Sequence, residues 1–151
     1  QEQSRLTLDT RELERSGPSY TIDTLMELRA EQGDRPLVLL MGADAFTGLP
    51  TWHRWRELFD VAHIGVLSRP GVEAAVPEEL AAEVAARLVA DAAVLRSLPA
   101  GKLIELAVTP LEISATRIRE LLAAGRDPRY LLPCGLFDDP TVLAPYRQNL
   151  L

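Results

Sequence analysis

The fold of this chain is decided by the stretch PLVLLMGAD at residues 36–44, in which a continuous apolar run is followed at once by a polar turn. An apolar run of this length is typical of a parallel β-strand that is covered on both faces of its sheet. Two further runs of the same kind cover residues 64–68 and 103–108. We therefore expect three buried strands at these positions.

Helical patterns occupy the segments before and between these runs. After a turn at 16–18, a helix is expected with Ser19 as its cap, Gly33 as its stop, and an apolar face of Ile22, Leu25, Met26 and Leu28. A second helical stripe consists of Trp52, Trp55, Leu58 and Phe59. A third helix is expected from Pro77 to about Arg96. Strands that alternate with helices predict right-handed crossovers, and hence an α/β fold with a doubly wound parallel sheet.

Three shorter segments complete the expected secondary structure. Residues 5–8 alternate as in a short strand. A helix is expected to begin at Ser114 and to stop at Gly125, with an inward face of Ile118, Leu121 and Leu122. Residues 139–151 are expected to form a last short helix after an irregular insertion at 134–139.

The composition is that of a single globular domain. The 151 residues are 47% hydrophobic, which suits one core, so we expect residues 1–151 to form one domain. The formal net charge of −6 argues against a broad contact surface for nucleic acid or an anionic membrane and favours a small ligand. The single cysteine, Cys134, excludes an internal disulfide framework. Without a signal-peptide pattern or a long apolar span, the expected location is the cytoplasm.

Small and polar residues follow the predicted strands at the edge where ligands bind in sheets of this kind. Gly42 would let a ligand approach the backbone closely, and Asp44 offers an acceptor for sugar hydroxyls. Arg69 follows the second strand, and Ser114 with Thr116 follows the third. Taken singly, Gly-x-Asp is typical of a turn, and an arginine before proline is typical of a solvated surface. Together these residues match the groups that a nucleotide requires.

The segment ISATRIR, residues 113–119, combines two hydroxyls and two guanidinium groups at an expected helix start. Free backbone N–H groups and the positive end of the helix dipole favour an anion there, and a downstream arginine can add charge-assisted hydrogen bonds. Considered alone, Ser114 is equally well explained as a helix cap. The segment therefore predicts a phosphate site only in combination with the other strand ends.

Trp52 follows Pro50 and Thr51 close to the same sheet edge. At the first turn of a helix its indole can face a cleft, stack on a flat ligand and favour a positively charged ring, although a place in the core is the alternative. Trp55 and Phe59 are expected in the core. The two histidines, at positions 53 and 63, have no cysteine or carboxylate at ligand spacing, so no protein-built metal site is expected.

Several common catalytic motifs are missing from the sequence. Gly-x-Ser-x-Gly, the Walker loop and Gly-x-Gly-x-x-Gly do not occur. Their absence argues against the usual hydrolase, P-loop and dinucleotide-reductase classes.

An ordered series of short motifs resembles the bacterial nicotinate-nucleotide adenylyltransferases, from the nucleotidyltransferase superfamily with a His-x-Gly-His motif. The motifs are LD and REL within 8–13, PSYT at 18–21 with TL at 24–25, GAD at 42–44, PTW at 50–52, RPG at 69–71, ISAT at 113–116 with IR at 118–119, and LLP at 131–133. Several signatures in the same order are more specific than any one of them. The resemblance implies a Rossmann-like nucleotidyltransferase fold.

The resemblance also implies a reaction and its binding residues. AMP is transferred from ATP to nicotinic acid mononucleotide, which gives deamido-NAD and pyrophosphate in NAD biosynthesis. The implied ATP-binding residues are Gly42, Ser114, Thr116 and Arg119. The implied mononucleotide-binding residues are Tyr20, Thr21, Asp44, Trp52 and Arg69. Trp52 would stack on the cationic nicotinate ring, while Tyr20 and Thr21 at a helix start would offer N–H groups to its carboxylate.

The implied partners are therefore ATP and nicotinic acid mononucleotide, with no nucleic acid and no membrane, and self-association is left open. Mg²⁺ is implied as the cofactor, bound through the ATP phosphates and without a metal ligand named in this chain. Arg117 lies on a different helix face from Arg119, so we expect it to be solvated.

One part of the family pattern does not occur in these residues, namely the N-terminal strand with the loop Gly-Gly-x-Phe-Asp-Pro-x-His-x-Gly-His. The histidines of that loop contact the transferring phosphates, so no catalytic residue is assigned here. Because Gln1 is not a translation start, we expect that the chain lacks its natural N-terminus and that these residues alone are inactive or very slow. Two other functions stay open, a sister adenylyltransferase for another phosphate acceptor and a non-catalytic nucleotide-binding scaffold. Trp52 with Tyr20 and Thr21 argues against the sister enzyme.

Overall fold

A computed structural model of the chain describes residues 6–68, 76–108, 113–133, 135–138 and 140–147. The chain divides into two compact units, Gln1–Thr109 and Pro110–Leu151. In the described ranges the first unit contains the β-sheet and the second contains helices alone. None of the helices in these ranges is long and apolar enough to cross a membrane.

The first unit alternates helices with strands. Its helices are α1 (Arg11–Glu14), α2 (Thr21–Gln32), α3 (Ala43–Thr47), α4 (Leu58–Val61) and α5 (Glu78–Arg87), and its strands are β1 (Val38–Gly42), β2 (His63–Ser68), β3 (Leu88–Val89) and β4 (Leu103–Ala107). Short 3₁₀ turns cover Leu49–Thr51, Trp55–Glu57 and Ala92–Ser97. The second unit contains α6 (Ala115–Ala123), a 3₁₀ turn at Arg129–Leu131, α7 (Gly135–Asp138) and α8 (Pro140–Arg147).

The four strands form one parallel sheet in the order β1-β2-β4-β3. Val38 of β1 lies opposite His63 of β2, and this register continues to Gly42 opposite Leu67. Because every pair is parallel, the chain must cross from the carboxyl end of one strand to the amino end of the next, and these crossovers contain α-helices or, between β3 and β4, a 3₁₀ turn. The predicted α/β fold with a parallel sheet is confirmed.

One face of the sheet carries the main hydrophobic core of the first unit. Strand residues on this face alternate with residues of the opposite face, as the period of two requires, and they pack against the apolar sides of the helices and turns. The fully or nearly buried members are Ile22, Leu25, Met41, Phe46, Leu49, Trp55, Leu58, Phe59, Ala62, Ile64, Val66, Leu80 and Leu103. The expected core positions of Trp55 and Phe59 are confirmed.

The opposite face of β1 is open, which corrects the expectation that the 36–44 run is covered on both sides. Val38 is 40% exposed and Leu40 is 57% exposed. Gly65 lies opposite Leu40 in β2, and a Cβ atom at Gly65 would come within 2.7 Å of Leu40 Cδ2. The glycine therefore lets the Leu40 side chain lie across the neighbouring strand.

The helix expected over residues 77–96 is wrong in its second half. Helix α5 ends at Arg87, and Leu88 and Val89 extend as β3 beside Leu103 and Ile104 of β4. Asp91 then caps a 3₁₀ turn by accepting a hydrogen bond from the Ala93 N–H at 2.8 Å. An apolar helical pattern cannot reveal this change, since pairing with a distant strand outweighs local helix propensity.

Four smaller expectations also need correction. Residues 6–8 form no strand and pair with no strand in the described ranges, and the side chains of Leu6 and Leu8 are exposed. Ser19 does not cap α2, since its Oγ donates to the Glu12 carbonyl and Tyr20 takes the cap position. Met26 is 43% exposed instead of inward-facing. The segment expected to be irregular contains α7, which contacts α8.

In the second unit, α6 packs against α8. Leu122 of α6 and Leu143 of α8 are buried, while Ile118 and Leu121 are half-buried. Gly125 has a positive φ of 68° two residues after α6 ends, as its expected role as a stop requires. The expected tail helix is present as α8.

A cluster of hydrogen bonds joins loops at the amino ends of the strands. The half-buried Arg29 of α2 donates to the carbonyl oxygens of Val61 at 2.7 Å and Pro99 at 2.6 Å, and also to those of Gly33 and Arg35. No carboxylate pairs with Arg29 among the ion pairs of the described residues. We call this set of four carbonyls and one guanidinium the Arg29 cluster.

His63 extends the Arg29 cluster and is fully buried. Its Nδ1 accepts from the Lys102 N–H at 3.0 Å, so its Nε2 must carry the proton that is donated to the Leu98 carbonyl at 2.9 Å. The ring is therefore neutral and in one tautomer, and it connects β2 to the loop that precedes β4.

We predict that Arg29→Met lowers the free energy of unfolding by about 2–4 kcal/mol, because it leaves four carbonyl groups without their charged donor. Urea unfolding followed by tryptophan fluorescence measures the change. Arg35→Met is the matched control, since the exposed Arg35 side chain bonds Gln32 at 3.2 Å and should cost about 0.5 kcal/mol or less. Equal losses in the two variants would contradict a structural role for the Arg29 cluster.

Candidate functional site

The carboxyl end of β1 leads directly into a helix. Gly42 ends the strand and caps α3, and Asp44 lies exposed in the first turn of that helix. Gly42 has an ordinary extended backbone, and a Cβ atom there would meet nothing within 4 Å. Packing of the described residues therefore does not require this glycine, and the open space leaves room for a ligand beside the backbone.

The other residues predicted at strand ends follow β2 and β4. Strand β2 ends at Ser68, and Arg69 lies outside the described residues. Strand β4 ends at Ala107, after which the Val108 N–H donates to the Ser68 carbonyl at 3.1 Å. Ser114, Thr116 and Arg119 all belong to the second unit.

A pocket of about 250 Å³ lies between the start of α2 and the segment after the 49–51 turn. The lining residues come from two places in the sequence and are Ser19, Tyr20, Thr21, Thr51, Trp52 and His53. The structure thus brings Tyr20 and Thr21 together with Trp52, as the sequence interpretation requires. No side chain in the described part of the chain caps the start of α2, and its first backbone N–H groups point out of the helix towards a possible ligand.

Trp52 reaches this pocket in extended conformation, not from a helix as expected. Leu49 is fully buried and anchors the 49–51 turn, which the hydrogen bond from Thr51 Oγ1 to the Gly48 carbonyl at 2.8 Å closes. Trp52 follows with φ −77° and ψ 146°. Arg54 then has a positive φ of 52°, which breaks the expected helix and separates half-buried Trp52 from buried Trp55. The break leaves the indole of Trp52 at the pocket.

His53 is a pocket residue that sequence reasoning considered only as a metal ligand. Its ring lies on the ring of Tyr20, with centroids 4.3 Å apart and planes tilted by 31°. The signal available in the sequence was its position directly after Trp52. That signal is weak, because an exposed histidine beside a tryptophan has no distinguishing pattern of its own.

A charged network lies next to the pocket. Arg54 donates to both carboxylate oxygens of Glu57 at 2.9 and 2.6 Å, and it lies 3.7 Å from Asp23 of α2. The hydrogen bond from Arg54, together with the charge of the same guanidinium, holds the pKa of Glu57 below its usual range. Arg54 therefore connects the two chain segments that line the pocket.

A second network holds the segment before α2 in place. Arg11 pairs with Asp9 at 2.8 Å and with Glu31 of α2 at 3.1 Å, and hydrogen bonds from Arg11 hold the pKa of Asp9 below its usual range. Arg15 pairs with Glu27 of α2 at 2.8 Å. The 8–13 motif thus positions the chain that leads to Tyr20.

The start of α6 is favourable for an anion. Ser114 Oγ accepts a hydrogen bond from the Arg117 N–H at 3.1 Å, so its capping role is confirmed. The first turn contains no acidic residue. Arg119 Nη2 lies 3.4 Å from Thr116 Oγ1 and makes no ion pair within the described ranges, whereas Arg117 lies 3.5 Å from Glu120. Arg119 is therefore the more available cation.

The described residues contain no group of three or more histidine, cysteine, aspartate or glutamate residues that could hold a metal ion. The hydrogen-bond donors at the pocket and at the start of α6 are hydroxyls, backbone N–H groups and arginine side chains. Such groups suit phosphates and carboxylates more than a bare cation.

A parallel sheet, ligand groups beyond its strand ends and an anion-favouring helix start are typical of nucleotide-binding α/β proteins. The sequence profile of the cytidylyltransferase-like family matches residues 1–121, and the chain belongs to that family.

Similarity to known proteins is also high at the level of single sequences. The chain is 59% identical over 126 residues to the probable nicotinate-nucleotide adenylyltransferase of Halorhodospira halophila, and the aligned region covers 83% of this chain and 58% of that protein. It is 49% identical over 150 residues to the protein of the same name from Dechloromonas aromatica, which is 97% of this chain and 69% of that protein. The resemblance predicted from the motifs is confirmed. The chain spans less than two thirds of the first relative's length.

Among solved structures, the Plasmodium falciparum nicotinic acid mononucleotide adenylyltransferase complexed with APC matches with a TM-score of 0.47 and 15% identity. The match covers 77% of this chain and 51% of that one.

Proposed function

We propose that the full-length protein transfers AMP from ATP to nicotinic acid mononucleotide and thereby forms deamido-NAD and pyrophosphate. The observation that carries the proposal is the pocket in which the Trp52 indole lies beside the uncapped start of α2 at Tyr20 and Thr21. The high identity to probable nicotinate-nucleotide adenylyltransferases supports it.

The pocket chemistry suits a pyridinium ring with a carboxylate. The negative face of an indole attracts a flat cationic ring. Backbone N–H groups at a helix start, with the positive end of the helix dipole, attract a carboxylate more than a neutral amide. Trp52 would therefore hold the ring while Tyr20 and Thr21 hold its acidic substituent. We assign Asp44 to the ribose hydroxyls and Arg69 to the mononucleotide as well.

The groups at the start of α6 suit the ATP phosphates. In the second unit, Ser114, Thr116 and Arg119 offer hydroxyls, N–H groups and a guanidinium that makes no ion pair with another described residue. In the first unit, Gly42 has open space beside its backbone, and we assign it to ATP as well. ATP would bring Mg²⁺ with it as MgATP, bound through its phosphate oxygens.

The reaction needs alignment and charge neutralisation more than proton transfer. A 5′-phosphate oxygen of the mononucleotide attacks the α-phosphorus of ATP, the new P–O bond forms, and the bond to the β-phosphate oxygen breaks to release pyrophosphate. The attacking oxygen is already an anion, so no base is required. The residues named above bind and orient the two nucleotides and offset charge on the triphosphate.

We also propose that residues 1–151 belong to one nucleotidyltransferase domain. The family profile extends over residues 1–121 and so continues past the boundary between the two compact units, which supports this proposal.

The activity can be tested by a coupled pyrophosphate-release assay on the full-length protein with MgATP. Nicotinic acid mononucleotide should support turnover, and nicotinamide mononucleotide should be used less well. Turnover with phosphopantetheine alone would favour the sister adenylyltransferase, and ATP binding without turnover would favour the scaffold.

We predict that Trp52→Ala in the full-length protein raises KM for the mononucleotide about tenfold and changes KM for ATP less than about twofold, since only the pyridinium loses its stacking surface. Steady-state kinetics with each substrate varied in turn measures both constants. Trp52→Phe keeps an aromatic face and should lose less. Equal changes in the two constants would contradict the assignment of Trp52.

For the other substrate, Arg119→Ala should raise KM for ATP about tenfold, because a charge-assisted hydrogen bond to a phosphate is lost. Arg117→Ala is the matched control two residues away, since Arg117 already lies against Glu120, and it should change KM for ATP less than about twofold. If Arg119→Ala leaves ATP kinetics unchanged, or if both variants lose equally, the phosphate assignment is wrong.

A further inference from the structure

His53 occupies a defined place in the pocket. Its imidazole lines the pocket next to Trp52 and lies on the Tyr20 ring at 4.3 Å between centroids. Both rings are exposed to solvent. Contact with Tyr20 restricts the ring's orientation, which distinguishes His53 from a freely rotating surface histidine.

Among the described residues that line the pocket, His53 is the only one whose side chain can carry a positive charge. The other five lining residues supply three aliphatic hydroxyls, one phenol and one indole, and none supplies a carboxylate. The side chains that line the pocket are therefore neutral when His53 is neutral. Protonation of His53 makes them singly positive.

The charged groups that surround His53 do not cancel this change. Glu57 interacts electrostatically with His53, but its carboxylate is bound by Arg54 through two hydrogen bonds. Asp23 of α2 lies 3.7 Å from the same Arg54. Two acidic groups, Glu57 and Asp23, thus share one arginine.

We propose that His53 is a specificity-determining residue, whose protonated imidazole favours a flat cationic heterocycle with a carboxylate over the same heterocycle with a neutral amide. This inference rests on the proposed function of the pocket. An N-ribosylated pyridinium that carries a carboxylate has no net charge on its ring, and its carboxylate can accept a hydrogen bond from an imidazolium. The amide form keeps a net positive ring, which an imidazolium repels. Both effects act in the same direction.

The consequence is a preference for the acid that depends on pH. Imidazoles gain a proton as the pH falls through the range from about 8 to 5. The ratio of acid affinity to amide affinity should therefore rise by about three- to tenfold between pH 8 and pH 5.5. The 5′-phosphate is common to both ligands, so its own titration cancels in the ratio.

Isothermal titration calorimetry on the full-length protein tests this inference with nicotinic acid mononucleotide and nicotinamide mononucleotide as probes. His53→Phe keeps an aromatic ring against Tyr20 without a charge, and its acid-to-amide ratio should not change between pH 8 and pH 5.5. His53→Lys is charged at both values and should have a high ratio at both. Arg56→Gln removes a cation from the same segment outside the pocket lining and should behave as the wild type.

The outcomes distinguish an error in the proposed function from an error in the role of His53 alone. If the wild-type protein binds neither mononucleotide, the proposed function is wrong, and the role proposed for His53 is wrong as well. If the wild type binds the acid but its ratio is the same at both pH values, the role of His53 alone is wrong. A pH-dependent ratio that persists in His53→Phe leads to the same conclusion.

Discussion

The parallel pairing of β1 with β2 is the constraint on which the first unit depends. The register from Val38 opposite His63 to Gly42 opposite Leu67 requires a crossover between the carboxyl end of β1 and the amino end of β2. That crossover contains Asp44, Leu49 and Trp52, so the segment that forms the pocket is part of the connection that the sheet requires. The buried side chain of Leu49 ties it to the core.

Polar contacts act at two places with different effects. At the amino ends of the strands, Arg29 and His63 satisfy backbone carbonyls and an N–H group of the connecting loops. Beside the pocket, Arg54 joins α2 to the segment that carries Trp52, and Arg11 holds the chain that leads to Tyr20. The groups that we propose to bind the ligand therefore lie near short irregular segments, which are supported by ion pairs and by the sheet.

The expectations that failed share one physical cause. Apolar spacing at 77–96 predicts a helix, yet Leu88 and Val89 pair with β4. The spacing at 52–59 predicts another helix, yet Arg54 has a positive φ and interrupts it. The apolar run at 36–44 predicts a strand correctly, but it does not indicate whether other elements pack on one face of that strand or on both. At 77–96 and 52–59, contacts with residues distant in sequence decide between conformations that are locally similar in free energy, and at 36–44 such contacts decide which face of the strand is covered.

The sequence by itself determined the three main strands, the start of α6 after its Ser114 cap, the parallel α/β class and the family, because apolar periodicity, caps and ordered motifs are local properties of the chain. Only the tertiary structure decided that Tyr20 and Thr21 meet Trp52 in one pocket, and that His53 lies on Tyr20 within it. Residues about thirty positions apart come together through the packing of α2 against the sheet and α4. Spacing along the chain does not encode that packing.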